Sequence, residues 1–192
     1  MARVLIGSIA AALAMFVIGF IFYATPLTRI HVGSLDNGPA AAVQQALAAN
    51  VPGSGTYHVP STATAEQTVM YGQGPIATLH YNAKGYAAPD PKSMIGGLLL
   101  DFVTALLIGA ALIGIDRRVP DFPSRARLVV LFSIAASAYL HLGEPIWYHH
   151  DWGHFIYLFI VDAATLAAGG LIIARWFLPV IKPATAGAPT DV

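Results

Sequence analysis

Four stretches of the chain are apolar for long enough to cross the roughly 30 Å hydrocarbon core of a bilayer, which takes about 20 residues of helix. They are Val4–Tyr23, Ser93–Ile115, Leu128–Trp147 and Trp152–Phe177. The first holds no charge, the second holds Asp101 and the fourth holds Asp162. The third is polar along one face, with Ser133, Ser137, His141 and Glu144 at helical spacing.

Between the first two spans the pattern changes. Asn37-Gly38-Pro39 reads as a turn, and the following AAAVQQALAAN as a short helix with Val43 and Leu47 on one edge. Val51–Gly55 breaks it. Thr56–Val59 and Ile76–Tyr81 have strand character, and Ala65–Tyr71 reads as a second short helix capped by Thr64. Two strands alone are marginal in water, so this segment is expected to rest on the ends of the spans. The expected fold class is an all-α membrane protein, a four-transmembrane-helix bundle with a small α+β extracytoplasmic insertion between helices 1 and 2. Its expected divisions are 1–25, 26–92, 93–182 and a disordered tail over 183–192.

Composition agrees with that class. The 192 residues are 56% hydrophobic and 10% charged, with a mean hydropathy of +0.64, against about 25% charged residues in a typical soluble domain. Ten basic and ten acidic residues cancel, which leaves no basic field for a nucleic acid. The absence of cysteine excludes disulfides and thiolate metal sites.

Basic residues set the expected orientation. Arg117, Arg118, Arg125 and Arg127 lie between spans two and three, Arg3 before span one, and Arg175 and Lys182 after span four. The turn between spans three and four, YHHDW, has no Lys or Arg. Both termini and the Arg-rich loop are therefore expected on the cytoplasmic side of an inner membrane. Trp147, Tyr148, Trp152 and Tyr157 would then form the outer aromatic belt, with Trp176 at the inner face. The first apolar run exceeds the 7–15 residues of a cleavable signal, so it reads as a retained anchor.

Two internal alignments suggest a parallel duplication of a helical hairpin. Val4, Ser8, Ala11 and Tyr23 match Val129, Ser133, Ala136 and Tyr148, and Asp101, Thr104 and Gly109 match Asp162, Thr165 and Gly170.

Asp101 and Asp162 are the first candidates for chemistry, because an ionised acid in a span costs at least ~2.5 kcal/mol. Counted from the span ends they lie about 12 and 15 Å deep. One reading makes them proton or cation relays. The favoured one makes them structural, a protonated Asp hydrogen-bonded to a Thr or a backbone carbonyl to hold two helices together, with Thr104 and Thr165 one turn inward on the same faces, since no intramembrane Lys or Arg completes a relay. The second candidate is the run from His141 to His154, with His141, Glu144, His149, His150, Asp151 and His154. Imidazole and carboxylate suit a divalent metal, with His150 and His154 chelating if one helix carries both. A haem b between His141 and His154, a pair of strand ligands at His58 and His80, or a metal-free cluster that titrates near neutral pH are the alternatives. No cofactor is the favoured expectation. Small residues such as Gly7, Gly96, Gly97 and Ala163 permit close helix packing or self-association.

The glycine-punctuated first span, Gly55–Pro60 (GTYHVP), Gly74–Tyr81 (GPIATLHY) and the late turn Trp147–Trp152 together resemble a group of small, uncharacterised bacterial four-span membrane proteins. That resemblance implies the topology and brings no activity or ligand. The expected function is therefore non-enzymatic: a structural or accessory envelope protein whose partners are the lipid bilayer and another membrane protein or a second copy. The alternatives are a small proton- or cation-linked transporter using Asp101 and Asp162, and a metal- or haem-binding protein.

Overall fold

The computed structural model describes residues 2–178; Lys182 and the tail 183–192 lie outside the described residues. The chain is mostly helical. Its elements are α1 (Ala2–Tyr23), a 3-10 turn (Pro26–Ile30), α2 (Asn37–Asn50), β1 (Gly55–Val59), α3 (Ala65–Gln73), β2 (Ala77–Tyr81), α4 (Pro91–Gly114), α5 (Phe122–His141), α6 (Gly143–Tyr148) and α7 (Trp152–Ile172), which closes in a π turn (Ile173–Phe177). Four helices are long and apolar enough to cross a membrane: α1, α4, α5 continued by α6, and α7 with its π turn.

Two local expectations are corrected. Asn37-Gly38-Pro39 is not a turn ahead of α2 but its first turn, where proline's missing N–H has no intrahelical acceptor to lose. The third span is not one helix. Pro145 lacks an N–H, and its ring would collide with the carbonyl of His141, so α5 stops at His141 and α6 restarts at Gly143. This break separates His141 from Glu144, which an unbroken helix would have kept on one face.

Aspartates start three of the spans, Asp121 accepting from Ser124 N (2.9 Å) at α5. Asp90 accepts from Lys92 N (3.1 Å) and Ser93 N (3.2 Å) to cap α4. Asp151 accepts from His154 N (2.7 Å) to cap α7. β1 and β2 pair antiparallel with Thr56 opposite His80 and His58 opposite Thr78, which puts those four side chains on one face.

α1 packs on α4 and α7, and α7 packs on α5. The interior of this layer is built from small residues, with Ser8, Ala11, Ala12, Ala105, Gly169, Gly170 and Ala174 buried. Large side chains such as Ile6, Leu99, Leu107 and Phe132 point outward and are exposed. This inverts the arrangement of a water-soluble bundle and suits helices surrounded by lipid.

The two helical hairpins, α1–α4 and α5–α7, repeat one contact. A Cβ added at Gly109 would lie 2.7 Å from Val4 Cγ1, and one added at Gly170 would lie 2.6 Å from Val129 Cγ1. These are the positions that the internal alignments match. The capping aspartates Asp90 and Asp151 also correspond, each preceding its helix by one position. The seams between the hairpins differ. The α1–α7 seam is closed, with Gly169 against Met15 and Gly7 against Phe177. Between α4 and α5 lies an apolar groove of about 460 Å³, lined by Leu107, Ile108, Val129 and Phe132 among others.

At the opposite end from the sheet, Arg125 is fully buried, its Nε donating to Val119 O (2.8 Å) to fold the α4–α5 loop back on itself. The sequence counted this arginine only as loop charge. Arg175 lies over the Phe122 ring at 5.3 Å.

Gly109→Val and Gly170→Val should each destabilise the protein by about 1–3 kcal/mol, as overpacking does. Gly96→Ala, where nothing lies within 4 Å, should be neutral or stabilise by up to about 1 kcal/mol. Thermal unfolding in detergent checks both; equal melting of all three variants contradicts the packing.

Candidate functional site

Three polar residues of the spans, Tyr23, His141 and Asp162, meet at the sheet end. Asp162 Oδ1 accepts from Tyr23 Oη (3.0 Å), and its Oδ2 lies 2.7 Å from His141 Nε2. α1, α5 and α7 therefore meet at one carboxylate. Tyr23 reaches it because side chains on a helix lean towards its N-terminus, here inward from the last residue of α1. Whichever of the imidazole and the carboxylate holds it, one proton lies between them.

The expected threonine partners are corrected. Thr165 Oγ1 donates to Val161 O (2.8 Å), the back-bond within its own helix, and Thr104 lines the apolar groove between α4 and α5. Tyr157 Oη donates to Phe22 O (2.9 Å), so the first turn of α7 projects beyond the end of α1.

Above this point the same seam is held by histidines. His31 Nδ1 and His154 Nδ1 are 2.9 Å apart, so one donates its proton to the lone pair of the other. His31 also stacks on Tyr157, with ring centroids 4.0 Å apart. Its Nε2 is buried without a partner. Burial, and then the neighbouring His154, hold the His31 imidazole below its ordinary 6.5.

The sheet docks through a third group. His58, Tyr148, His150 and Phe155 form a column of rings with successive centroids 5.5, 5.6 and 5.5 Å apart. Thr78 Oγ1 lies 3.2 Å from His58 Nδ1 and 2.9 Å from His150 Nε2. A hydroxyl has one proton, so at least one of these imidazoles must donate to it. Glu144 Oε2 stands 3.2 Å from His150 Nδ1, near enough for an ion pair once the ring is protonated but outside hydrogen-bond geometry. His80 Nδ1 is 3.2 Å from Thr56 Oγ1.

Of the expected metal set, α7 begins at Trp152, so His150 precedes it and does not share a helical face with His154. His149 occupies the left-handed turn after α6, at φ 56°. Among the described residues no group of three or more His, Asp or Glu is placed to hold a metal ion. His141 and His154 are held on different partners, Asp162 and His31.

No protein-family model matches the chain, and no curated protein or solved structure does. Its site is therefore read from its own geometry.

Two cavities flank Asp162. One, of about 440 Å³, is lined from the second helical hairpin by Leu140, His141, Glu144, Tyr148, Phe155 and Leu158, and is roofed by His58, Thr78 and His80. The other, of about 420 Å³, is lined from the first by Met15, Phe16, Gly19, Tyr23, Met94 and Gly97, together with Asp101 and Asp162. The internal alignments carry each of the six positions in one onto a position in the other. His141 thus corresponds to Phe16, and Glu144 to Gly19. Asp101 faces a phenyl ring where Asp162 meets an imidazole, and Tyr148, the counterpart of Tyr23, is engaged in the ring column instead. The residues that sequence reasoning missed are Tyr23, His31, Phe16 and Tyr157. Tyr23 and Tyr157 were visible only as aromatics at a membrane interface.

The neutral form of His31 is the one the fold favours. The stability it contributes is intact above pH 6.5 and is lost as the pH falls below that value, where the unfolded chain takes up its proton first. Between about pH 7.5 and about pH 5.5 the wild type should therefore lose more melting temperature than His31→Phe, which keeps the ring on Tyr157 but cannot titrate. Parallel slopes for the two proteins contradict this.

Proposed function

We propose that the chain is a non-enzymatic accessory protein of a membrane, with its four spans gathered into a bundle and the Asp162 centre acting as the tie that holds them. Both termini and the Arg-rich loop lie on the cytoplasmic side, and residues 26–92 on the outer face of a bacterial inner membrane. The observation that carries this reading is that both oxygens of Asp162 are engaged by side chains from two other spans. The orientation is supported by Arg3, Arg117, Arg118, Arg125, Arg127 and Arg175 lying towards the end opposite the sheet. A role towards another membrane protein, or a second copy, is supported by α2, which is exposed along its whole length except at the half-buried Leu47.

Asn in place of Asp162 still accepts from Tyr23 with its oxygen and donates to a neutral His141 with its amide. Asp162→Asn should therefore cost less than about 1 kcal/mol, whereas Asp162→Leu, which leaves Tyr23 and His141 without partners, should cost about 1–3 kcal/mol. Thermal unfolding in detergent measures both. Proton flux into liposomes containing the wild type that disappears in a normally folded Asp162→Asn protein would overturn the reading in favour of a proton-linked carrier.

A further inference from the structure

The two helical hairpins differ in what satisfies their matching aspartate. In the second helical hairpin, nitrogen bases do so: His141 lies on Asp162, and His150 lies beside Glu144. In the first helical hairpin the corresponding aspartate, Asp101, receives no hydrogen bond from any described residue. No Arg, Lys or His lines its cavity. Asp162, already engaged by Tyr23 and His141, and Thr165 also line it, and the rest of the walls around Asp101 are largely aromatic and thioether, with Phe16, Phe20, Tyr23, Met15 and Met94. Phe20, Met94 and Leu100 at the rim are exposed, so the cavity opens on the face that meets lipid.

We propose that this cavity between α1 and α4 binds a substituted ammonium ion carried on an apolar body. A carboxylate in a span without a counter-charge is costly. A hydrated inorganic cation would gain nothing from the aromatic and thioether side chains that make up most of these walls. An alkylated ammonium gains from both features: its charge pairs with Asp101, and its apolar groups lie against the faces of Phe16 and Phe20. The volume of about 420 Å³ falls within the range of small-molecule sites. The ion is either a free lipophilic amine or the amino headgroup of a phospholipid. The inference goes beyond the Asp162 tie, whose Asp162 and Tyr23 also line the cavity, and the two are read out separately: unfolding of Asp162 variants reports the tie, and ligand binding by Asp101 variants reports the cavity.

The test is calorimetric titration of the full-length protein with benzyltriethylammonium, in nanodiscs of phosphatidylglycerol and again in nanodiscs of phosphatidylethanolamine. Saturable binding is expected in phosphatidylglycerol, weakened at least about tenfold by Asp101→Asn. Asp101 has no hydrogen-bond partner to lose and carries a costly charge, so this variant should melt no lower than the wild type. Gly97→Leu fills the cavity without touching a carboxylate, since a Cβ there meets only Phe16 Cε2, at 3.8 Å; it should also abolish binding. Surface accumulation of the cation on anionic phosphatidylglycerol acts on both variants alike, so the ratio of wild-type to Asp101→Asn affinity is compared: a smaller ratio in phosphatidylethanolamine than in phosphatidylglycerol identifies the lipid headgroup as the natural source, and an equal ratio identifies a free amine. The proposal is overturned if nothing saturates in phosphatidylglycerol, if Asp101→Asn binds as tightly as the wild type, or if a neutral analogue of the same shape binds equally well.

Discussion

A carboxylate inside an apolar layer has two oxygens to satisfy and little water to do it. At Asp162 that requirement is met by Tyr23 from α1 and His141 from α5. Much of the sheet end of the molecule follows from the geometry this imposes. α5 must end where His141 reaches α7, and Pro145 ends it there. α1 must bring its last residue level with the middle of α7, so the first turn of α7 stands proud and collects the His31–His154 pair and the ring column that seats the sheet. Each hydrogen bond within a membrane contributes about 0.6–2 kcal/mol. The tie thus fixes the relation of the hairpins more than it supplies their stability, which comes from close packing of small residues deeper in the layer.

The near-duplication of the helical hairpins makes the departures from symmetry informative. Val4–Gly109 and Val129–Gly170 are the same contact made twice, and Asp90 and Asp151 are the same cap. The two cavities occupy matching places. The seams do not match. α1 closes on α7, while α4 and α5 leave a groove between them, and so Tyr23 reaches Asp162 while Tyr148 turns to His58 and His150. One aspartate is thereby fully partnered and the other is left facing aromatic rings.

The spans were legible in the sequence because length and hydropathy leave few alternatives for an apolar run of about 20 residues. The short elements of residues 37–81 were legible from turn and cap residues, to within a few positions. The repeat was legible as matched residues, although a membrane alphabet makes such matches common, and only the paired glycine–valine contacts give it physical content. The site was harder to read. Asp162 and His141 stood out as polar residues in apolar helices, but their meeting depends on how far α7 projects past α1, a tertiary quantity with no local signature. The threonines one turn from each aspartate were the nearest acceptable partners by spacing. At Asp162 the threonine lost to residues more distant in sequence, because Thr165 is satisfied by its own helix, while Asp101 takes no hydrogen bond from any described residue. His31 carried no signal at all: a histidine in a connecting segment looks the same whether it is solvated or stacked.

The most direct measurement is a pair of double-mutant cycles in detergent unfolding, combining Asp162→Ala with Tyr23→Phe and, separately, with His141→Ala. A carboxylate tied to both residues gives coupling in each cycle, of about 0.5–3 kcal/mol, because each pair shares one interaction that only its first loss removes. Strict additivity in either cycle contradicts a three-helix tie at Asp162.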